Sequence, residues 1–372
     1  MVTMNFSPLL NRPWITRWIV ALTFSSVLLS GQAAPRPHFH VLSLGTLPGG
    51  QVVQPVALNN HGDVVGMASS SNGVYRPFHY RNGVMAELAI GDGPSASGVA
   101  LDINDAGQIV AQATVTNFFH GYLITPEDTL DLDAQTGLNV WPVGINRFGM
   151  IAANIPRGFA SEAVTWSNGV VRFLGFLDPT NGSYALDIND RGDVLATVFV
   201  GSPPPFPSRF TAVFHDGLLS VLGTFYGEAL NNRGAIAGES EHAAGLGAIL
   251  VRDGTTLDLG TLPGDSKSHV SALNNSGQVV GISEGASERY LAFLYTDGVM
   301  YDLNDLIPPR SGWILSTVQA MNDRGQIVGV GYLHGEERAF LLTPAKKPKD
   351  PPDKKSPLQS ILPARPPTEW TP

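Results

Sequence analysis

The chain contains no cysteine, and that absence closes several routes at once. Disulfides, thiol chemistry, Cys-ligated zinc and a lipid-modified N-terminal cysteine are excluded, so stability has to come from a large core. Charge is scarce too: only 15% of the 372 residues are Asp, Glu, Lys or Arg. Between residues 35 and 344 there is a single lysine, Lys267, and that stretch holds 15 bases against 29 acids, a net of −14. Binding to a phosphate backbone needs clustered Lys and Arg, so no nucleic-acid partner is expected. Apolar residues at helical spacing are missing. What the chain has instead is 41 Gly and 28 Pro punctuating short apolar runs, the composition of a turn-rich all-β protein.

One longer apolar stretch exists, at residues 18–30, preceded by Arg12 and Arg17 and followed by Gly31-Gln32-Ala33-Ala34. Basic, then apolar, then small residues is the order of a secretory signal. Cleavage after Ala33 makes residues 1–33 a signal peptide and implies a periplasmic or extracellular destination. The run falls short of the roughly 20 residues a membrane span needs, so no span is expected after cleavage. The other end, 345–372, is rich in Pro and Lys and reads as a disordered tail.

Between the two ends one pattern recurs seven times: an Asn, then Gly three residues later, with apolar residues on both sides. The pairs are Asn59/Gly62, Asn104/Gly107, Asn146/Gly149, Asn189/Gly192, Asn231/Gly234, Asn274/Gly277 and Asn322/Gly325. Successive glycines lie 45, 42, 43, 42, 43 and 48 residues apart. A second hairpin follows in each unit, as in FHYRNGVMAEL (78–88) and AFLYTDGVMYDLN (292–304). Five of the first six units place Asn-Gly or Asp-Gly at its turn, where positive φ is required. The second unit departs with Pro126-Glu127-Asp128.

Four short strands in about 43 residues make one propeller blade. In the sixth unit the strands are expected at 269–274, 278–284, 290–296 and 299–304. The seventh unit runs into the tail before its fourth strand, whereas residues 40–47, just after the signal, match the fourth strand of the fifth unit (255–264). The expectation is therefore an all-β, seven-bladed β-propeller of four-stranded blades over 35–344, its ring closed by an N-terminal strand.

GTLPGG (45–50), ALNNSGQVVG (272–281) and LAFLY (291–295) resemble the repeat of the HAF-repeat family of extracellular bacterial proteins, and the match spans nearly all of 40–344. The resemblance implies secretion and a repeat architecture. It supplies no functional residues, because the family has no established activity to carry over.

Candidate chemistry is sparse. DINDAG (102–107) and DINDRG (187–192) suggest a calcium loop, but position 5 is Ala106 in one and Arg191 in the other. A structural turn explains Asn and Gly better, since the amide mimics a backbone turn and glycine supplies positive φ. No metal, cofactor or catalytic residue is assigned. Single histidines such as His79, His120 and His215 fall in third strands, away from a channel. Two Asn-x-Ser sequons (181–183 and 274–276) need no functional reading.

Uniform first–second and third–fourth strand turns on one face leave the variable connections on the other. These are 69–76, 201–209, 240–247 and 284–289 between second and third strands, and 305–313 between blades. Binding residues concentrate on such loops, and Tyr75, Arg76, Phe206, Arg209, Arg310 and Trp313 have the aromatic and arginine character of recognition residues. The functional expectation is a monomeric, non-enzymatic extracellular module that binds a protein or a glycan. The competing expectations are a propeller hydrolase or lyase acting on polysaccharide, with acids such as Glu241 or Glu284, and a structural envelope component.

Overall fold

The computed structural model describes residues 36–345, except 92, 94, 95, 117, 179, 202–207, 243, 244 and 286–288. The expected signal peptide (1–33) and the tail beyond Ala345 lie outside the described residues, as does Phe206. Seven four-stranded antiparallel sheets form a β-propeller. Blade 1 comprises Val53–Leu58, Val64–Ser69, Tyr75–Arg81 and Val84–Glu87, from inner to outer strand. Blades 2 to 6 repeat the order, beginning at Gly98, Trp141, Ser183, Tyr226 and Asp265. Blade 7 uses Trp313–Met321, Ile327–Leu333 and Glu336–Pro344, and its outer strand is Phe39–Ser43 from the start of the body.

That last strand closes the ring as expected. Phe39 to Ser43 pair antiparallel with Pro344 to Phe340, and Leu44 N–H extends the ladder by donating to Ala339 O at 3.0 Å. Phe39, Leu44 and Leu47 are buried, so the N-terminal segment also fills the core of the last blade and its neighbour. The third strand of blade 7 thereby gains the partner that its own unit lacks.

Every inner strand carries a β-bulge at the equivalent place, from Val56 in blade 1 to Gln319 in blade 7. A bulge adds twist and bends the strand, which suits a strand lining a narrow axis. The turn that follows it is the one the repeated motif calls for. Gly62, Gly107, Gly149, Gly192, Gly234, Gly277 and Gly325 all have φ between 73° and 84°. Each donates its N–H to the carbonyl oxygen of the motif asparagine three residues back, at 3.0–3.1 Å. All seven glycines are therefore turn residues, in the left-handed region that glycine tolerates best.

Four residues beyond the motif glycine stands a residue that is always small: Gly66, Ala111, Ala153, Ala196, Gly238, Gly281 or Gly329. In four blades the reason is visible. A Cβ on Gly281 would lie 1.9 Å from His269 O and 2.8 Å from the Phe293 ring, and Gly66, Gly238 and Gly329 meet inner-strand carbonyls just as closely. Opposite those four glycines pack the buried Phe78, Ile249, Phe293 and Phe340.

The third–fourth strand turns also match expectation, with positive φ at both residues of Asn82-Gly83, Asn168-Gly169, Asp216-Gly217, Asp253-Gly254 and Asp297-Gly298. Two short helical segments were not foreseen. Leu132–Thr136 follows the curtailed outer strand of blade 2, capped by Asp131, and a 3₁₀ turn at Leu303–Leu306 follows that of blade 6, capped by Asp302. Both tuck buried leucines between blades. Inner strands are also longer than expected in blades 6 and 7, so Trp313 begins a strand instead of ending a loop.

Candidate ligand-binding face

The two faces differ in chemistry. On the uniform face the seven asparagines of the Asn-x-x-Gly motif form a closed ring. Each Oδ1 accepts the N–H groups two and four residues ahead, as Asn231 does from Arg233 and Ala235 at 3.0 Å. Each Nδ2 then donates to the backbone oxygen of the same asparagine in the next blade. The links run Asn59→Asn104 (3.2 Å), Asn104→Asn146 (3.0 Å), Asn146→Asn189 (3.2 Å) and Asn189→Asn231 (3.1 Å). They continue Asn231→Asn274 (3.1 Å), Asn274→Asn322 (3.3 Å) and Asn322→Asn59 (2.8 Å). All seven asparagines are buried. A side-chain amide carries, on two separate atoms, both the acceptor the turn needs and the donor the next blade needs.

The following residue in each motif forms a second, more exposed ring. Backbone N–H groups of Asn60, Arg147, Asp190, Asn232, Asn275 and Asp323 each donate to the side-chain oxygen of the next blade's residue at 2.7–2.9 Å. The ring breaks from blade 2 to blade 3, because Arg147 offers no acceptor. A carboxylate bridges that junction instead: Asp102 Oδ2 accepts Ile145 N–H at 2.8 Å. Asp187 does the same between blades 4 and 5, accepting Leu230 N–H at 2.7 Å. The two aspartates that suggested a calcium loop therefore serve as braces between inner strands. Burial raises Asp102 to about 6, against the pull of the N–H groups of Ile145 and Ile103. It raises Asp187 to about 7, with the charge of Asp102 adding to the effect. The channel end inside these turns encloses about 200 Å³.

The opposite face carries the variable connections and most of the exposed aromatic rings. Nine aromatic side chains are exposed among the described residues, and seven belong to this face. Six stand at the second–third strand tips: Tyr75 in blade 1, Phe118 and Phe119 in blade 2, Phe159 in blade 3, Tyr290 in blade 6 and Tyr332 in blade 7. Trp141 is the seventh, at the start of the inner strand of blade 3. The other two are Phe148, stacked under Arg147 on the turn face, and Phe173 on an outer strand.

Nearer the axis, one inner-strand position reads Trp141, Tyr184, Tyr226 and His269 in four successive blades, each opposite the equivalent residue of its second strand. Tyr184 meets Phe199 edge to face at 5.9 Å, and the Arg209 guanidinium lies over the Tyr226 ring at 4.3 Å. From Tyr226 the surface opens into a cleft of about 420 Å³ between blades 5 and 6, lined also by Glu241, His242, Lys267, His269 and Glu284. Lys267 Nζ donates to Glu284 at 3.0 Å, and His269 stands between Glu239 (3.3 Å) and Glu284 (3.6 Å). The Lys267 hydrogen bond holds Glu284 below its usual value. Glu228 keeps part of its side chain in solvent, yet desolvation of its carboxyl, then the charge of Glu239, pushes it up.

The residues singled out from sequence divide into several groups. Tyr75 is exposed at a tip and Arg310 is exposed between blades 6 and 7. Arg209 belongs to the inner arc through Tyr226. Arg76 is 6% exposed and engaged by the carbonyl oxygens of Gly93 (2.9 Å) and Ala96 (2.6 Å), which ties blade 1 to the connection after it. Trp313 sits edge to face on Phe340 at 5.9 Å, against the core of the last blades. Packing accounts for the order of these last two. The region 240–247, expected as a loop, is largely strand, running to His242 and resuming at Gly245.

Sequence reasoning passed over Phe118, Phe119, Phe159, Tyr290 and Tyr332 because it sought aromatics inside the longest loops. The available signal was position: Tyr75, Phe118 and Tyr290 each open a third strand. Among the described residues no group of three or more His, Asp or Glu is arranged to hold a metal ion, and no helix is long and apolar enough to cross a membrane.

No family model and no curated protein matches the chain. Solved structures do. The β-propeller domain of the Trilobed protease from Pyrococcus furiosus, described as having an open velcro topology, is similar at TM-score 0.55 and 10% identity, covering 81% of this chain and 99% of that one. An acylaminoacyl peptidase in complex with a chloromethyl ketone is similar at TM-score 0.50 and 12% identity, covering 78% of this chain and 52% of that one. At such identities the likeness establishes the fold class, a β-propeller, and does not extend to activity.

Proposed function

We propose that this protein is an exported, non-enzymatic binding module whose ligand meets the variable face. The observation that carries the reading is the segregation of exposed aromatic side chains: seven of nine lie on the face with irregular connections. Exposed Phe, Tyr and Trp gain most when a partner covers them. The opposite face commits its seven motif asparagines, and most of the residues that follow them, to the two inter-blade rings, which favours a structural role for it. Export is supported by the order of residues in the N-terminal segment and by the resemblance to HAF repeats, and the module acts as a monomer in the periplasm or outside the cell.

A second reading is favoured by one specific feature. Glu241 and Glu284 line the same cleft, and near it Glu228 and Glu284 are pushed in opposite directions by their surroundings. Carboxyl groups separated in that way suit acid–base chemistry on a polysaccharide. The test is a combined glycan and peptide array with the chain lacking residues 1–33. Binding abolished by substitutions at the tips, and not by substitutions at the turns, supports the module. Product release that stops in Glu228→Gln or Glu284→Gln replaces it with the enzyme.

A further inference from the structure

We infer that the variable face takes a neutral glycan chain, its sugar rings stacking one by one on the aromatic side chains of the blade tips. The inference rests on the reading of that face as the ligand face and adds the chemical class of the ligand.

The distribution of the aromatic rings points to a chain of repeated units. Six rings stand on the tips of five different blades; Phe118 and Phe119 share one cavity and Tyr290 and Tyr332 another, with Tyr75 and Phe159 on tips of their own. A stable protein partner is held by a contiguous, desolvated core surrounded by a polar rim. Separate platforms suit a ligand that offers one apolar face after another. The C–H face of a pyranose is weakly positive, and it matches the negative face of a Phe or Tyr ring.

Hydroxyl groups need donors and acceptors between the platforms. The cleft beside Tyr226 supplies both kinds: carboxylates on Glu241 and Glu284, an ammonium on Lys267 and imidazoles on His242 and His269. Its volume of about 420 Å³ leaves room for sugar units below the rim.

Charge then weighs against the anionic glycans. Three bases on this face are already paired, Arg157 with Glu162, Lys267 with Glu284 and Arg289 with Asp265, while Arg209 lies over Tyr226 and Arg310 stands exposed between blades 6 and 7. The surrounding body carries a net charge of −14, which repels uronates and sulfated sugars.

The experiment is calorimetric titration of the full chain after removal of residues 1–33. The probes are cellohexaose, mannohexaose and xylohexaose, with hexagalacturonate and a chitosan hexamer as charged arms. At least one neutral hexasaccharide is expected to bind, and Phe118→Ala and Phe159→Ala are each expected to weaken it about tenfold. Val299→Ala, at an exposed aliphatic residue beside a turn on the other face, is expected to change the affinity less than twofold. All three side chains are exposed, so unchanged melting temperatures serve as the folding control. The inference is overturned if no neutral hexasaccharide binds, if only a charged oligomer binds, or if both aromatic changes leave affinity intact. A peptide array run in parallel separates the two levels of the claim. A peptide ligand lost on Phe118→Ala overturns the glycan class and keeps the face; binding indifferent to every tip change overturns both.

Discussion

The repeated asparagine does two jobs with one amide, and neither job survives substitution. In Asn231→Ala the N–H groups of Arg233 and Ala235 lose their acceptor, the latter in a buried setting, and the buried Asn274 O loses one of its two donors, keeping the Gly277 N–H. Each buried group left unpaired costs about 1–3 kcal/mol, so a loss of about 2–4 kcal/mol is expected in denaturant unfolding, against less than about 0.5 kcal/mol for the exposed Arg252→Ala. The channel aspartates make a second prediction at this scale. Asp187 holds its proton up to about 7 in the fold, against 3.8 for an ordinary aspartate. The folded state therefore binds that proton more tightly than the unfolded chain does. The stability this provides is complete below pH 4 and is lost as pH rises through about 7. Measured against Asp187→Asn, the wild type should gain relative stability as pH is lowered from 8 to 4, by at most about 1.4 kcal/mol per pH unit. A difference between the two that stays flat with pH contradicts the desolvation of this carboxyl.

At the scale of single elements, the outer strand of the last blade decides whether the ring is closed. Phe39, Leu44 and Leu47 are buried, and a buried side chain of this size contributes about 1.5–3 kcal/mol. Deleting residues 34–47 should therefore lower the melting temperature sharply, and a synthetic peptide spanning 36–50 should restore part of it. Deleting 346–372 should leave it nearly unchanged. The second strands offer a steric test. Gly281→Ala would drive a Cβ to 1.9 Å from His269 O, so a loss of about 2–3 kcal/mol is expected by chemical denaturation. The same comparison separates what a sequence displays from what it conceals. Gly277 is legible because its positive φ is a local demand, and so is the paired type of turn at Asp297-Gly298. The smallness of Gly281 is part of the same visible motif, yet its cause is the His269 oxygen on the neighbouring inner strand. Likewise the turn role of Asn231 was readable, whereas its bond to Asn274 O spans 43 residues and exists only once blades are side by side. The 3₁₀ turn at Leu303–Leu306 escaped notice because its leucines fit a strand as well as a helix until the gap between blades is known.

Across the whole molecule, closure and recognition fall on different sides. The asparagine ring joins every blade to the next on the turn face, and Asp102 reinforces the one junction where Arg147 interrupts the second ring. Because each motif must fit its neighbours on both sides, that face is uniform. The opposite face is under no such demand, and there the tips and inner-strand starts diverge into the aromatic rings and the cleft beside Tyr226. Which face would vary was legible in the sequence from turn chemistry alone. Which residues on it reach solvent was not, since Arg76 and Tyr75 are adjacent in sequence and only one of them is buried. Hydrogen exchange followed by mass spectrometry, with and without cellohexaose, mannohexaose and xylohexaose, tests this division most directly. Protection confined to the variable face, at the tips 70–76, 116–120, 157–160, 289–291 and 332–336 and at the cleft residues 241–246, is expected with whichever sugar binds. Protection confined to the Asn-x-x-Gly turns would contradict it.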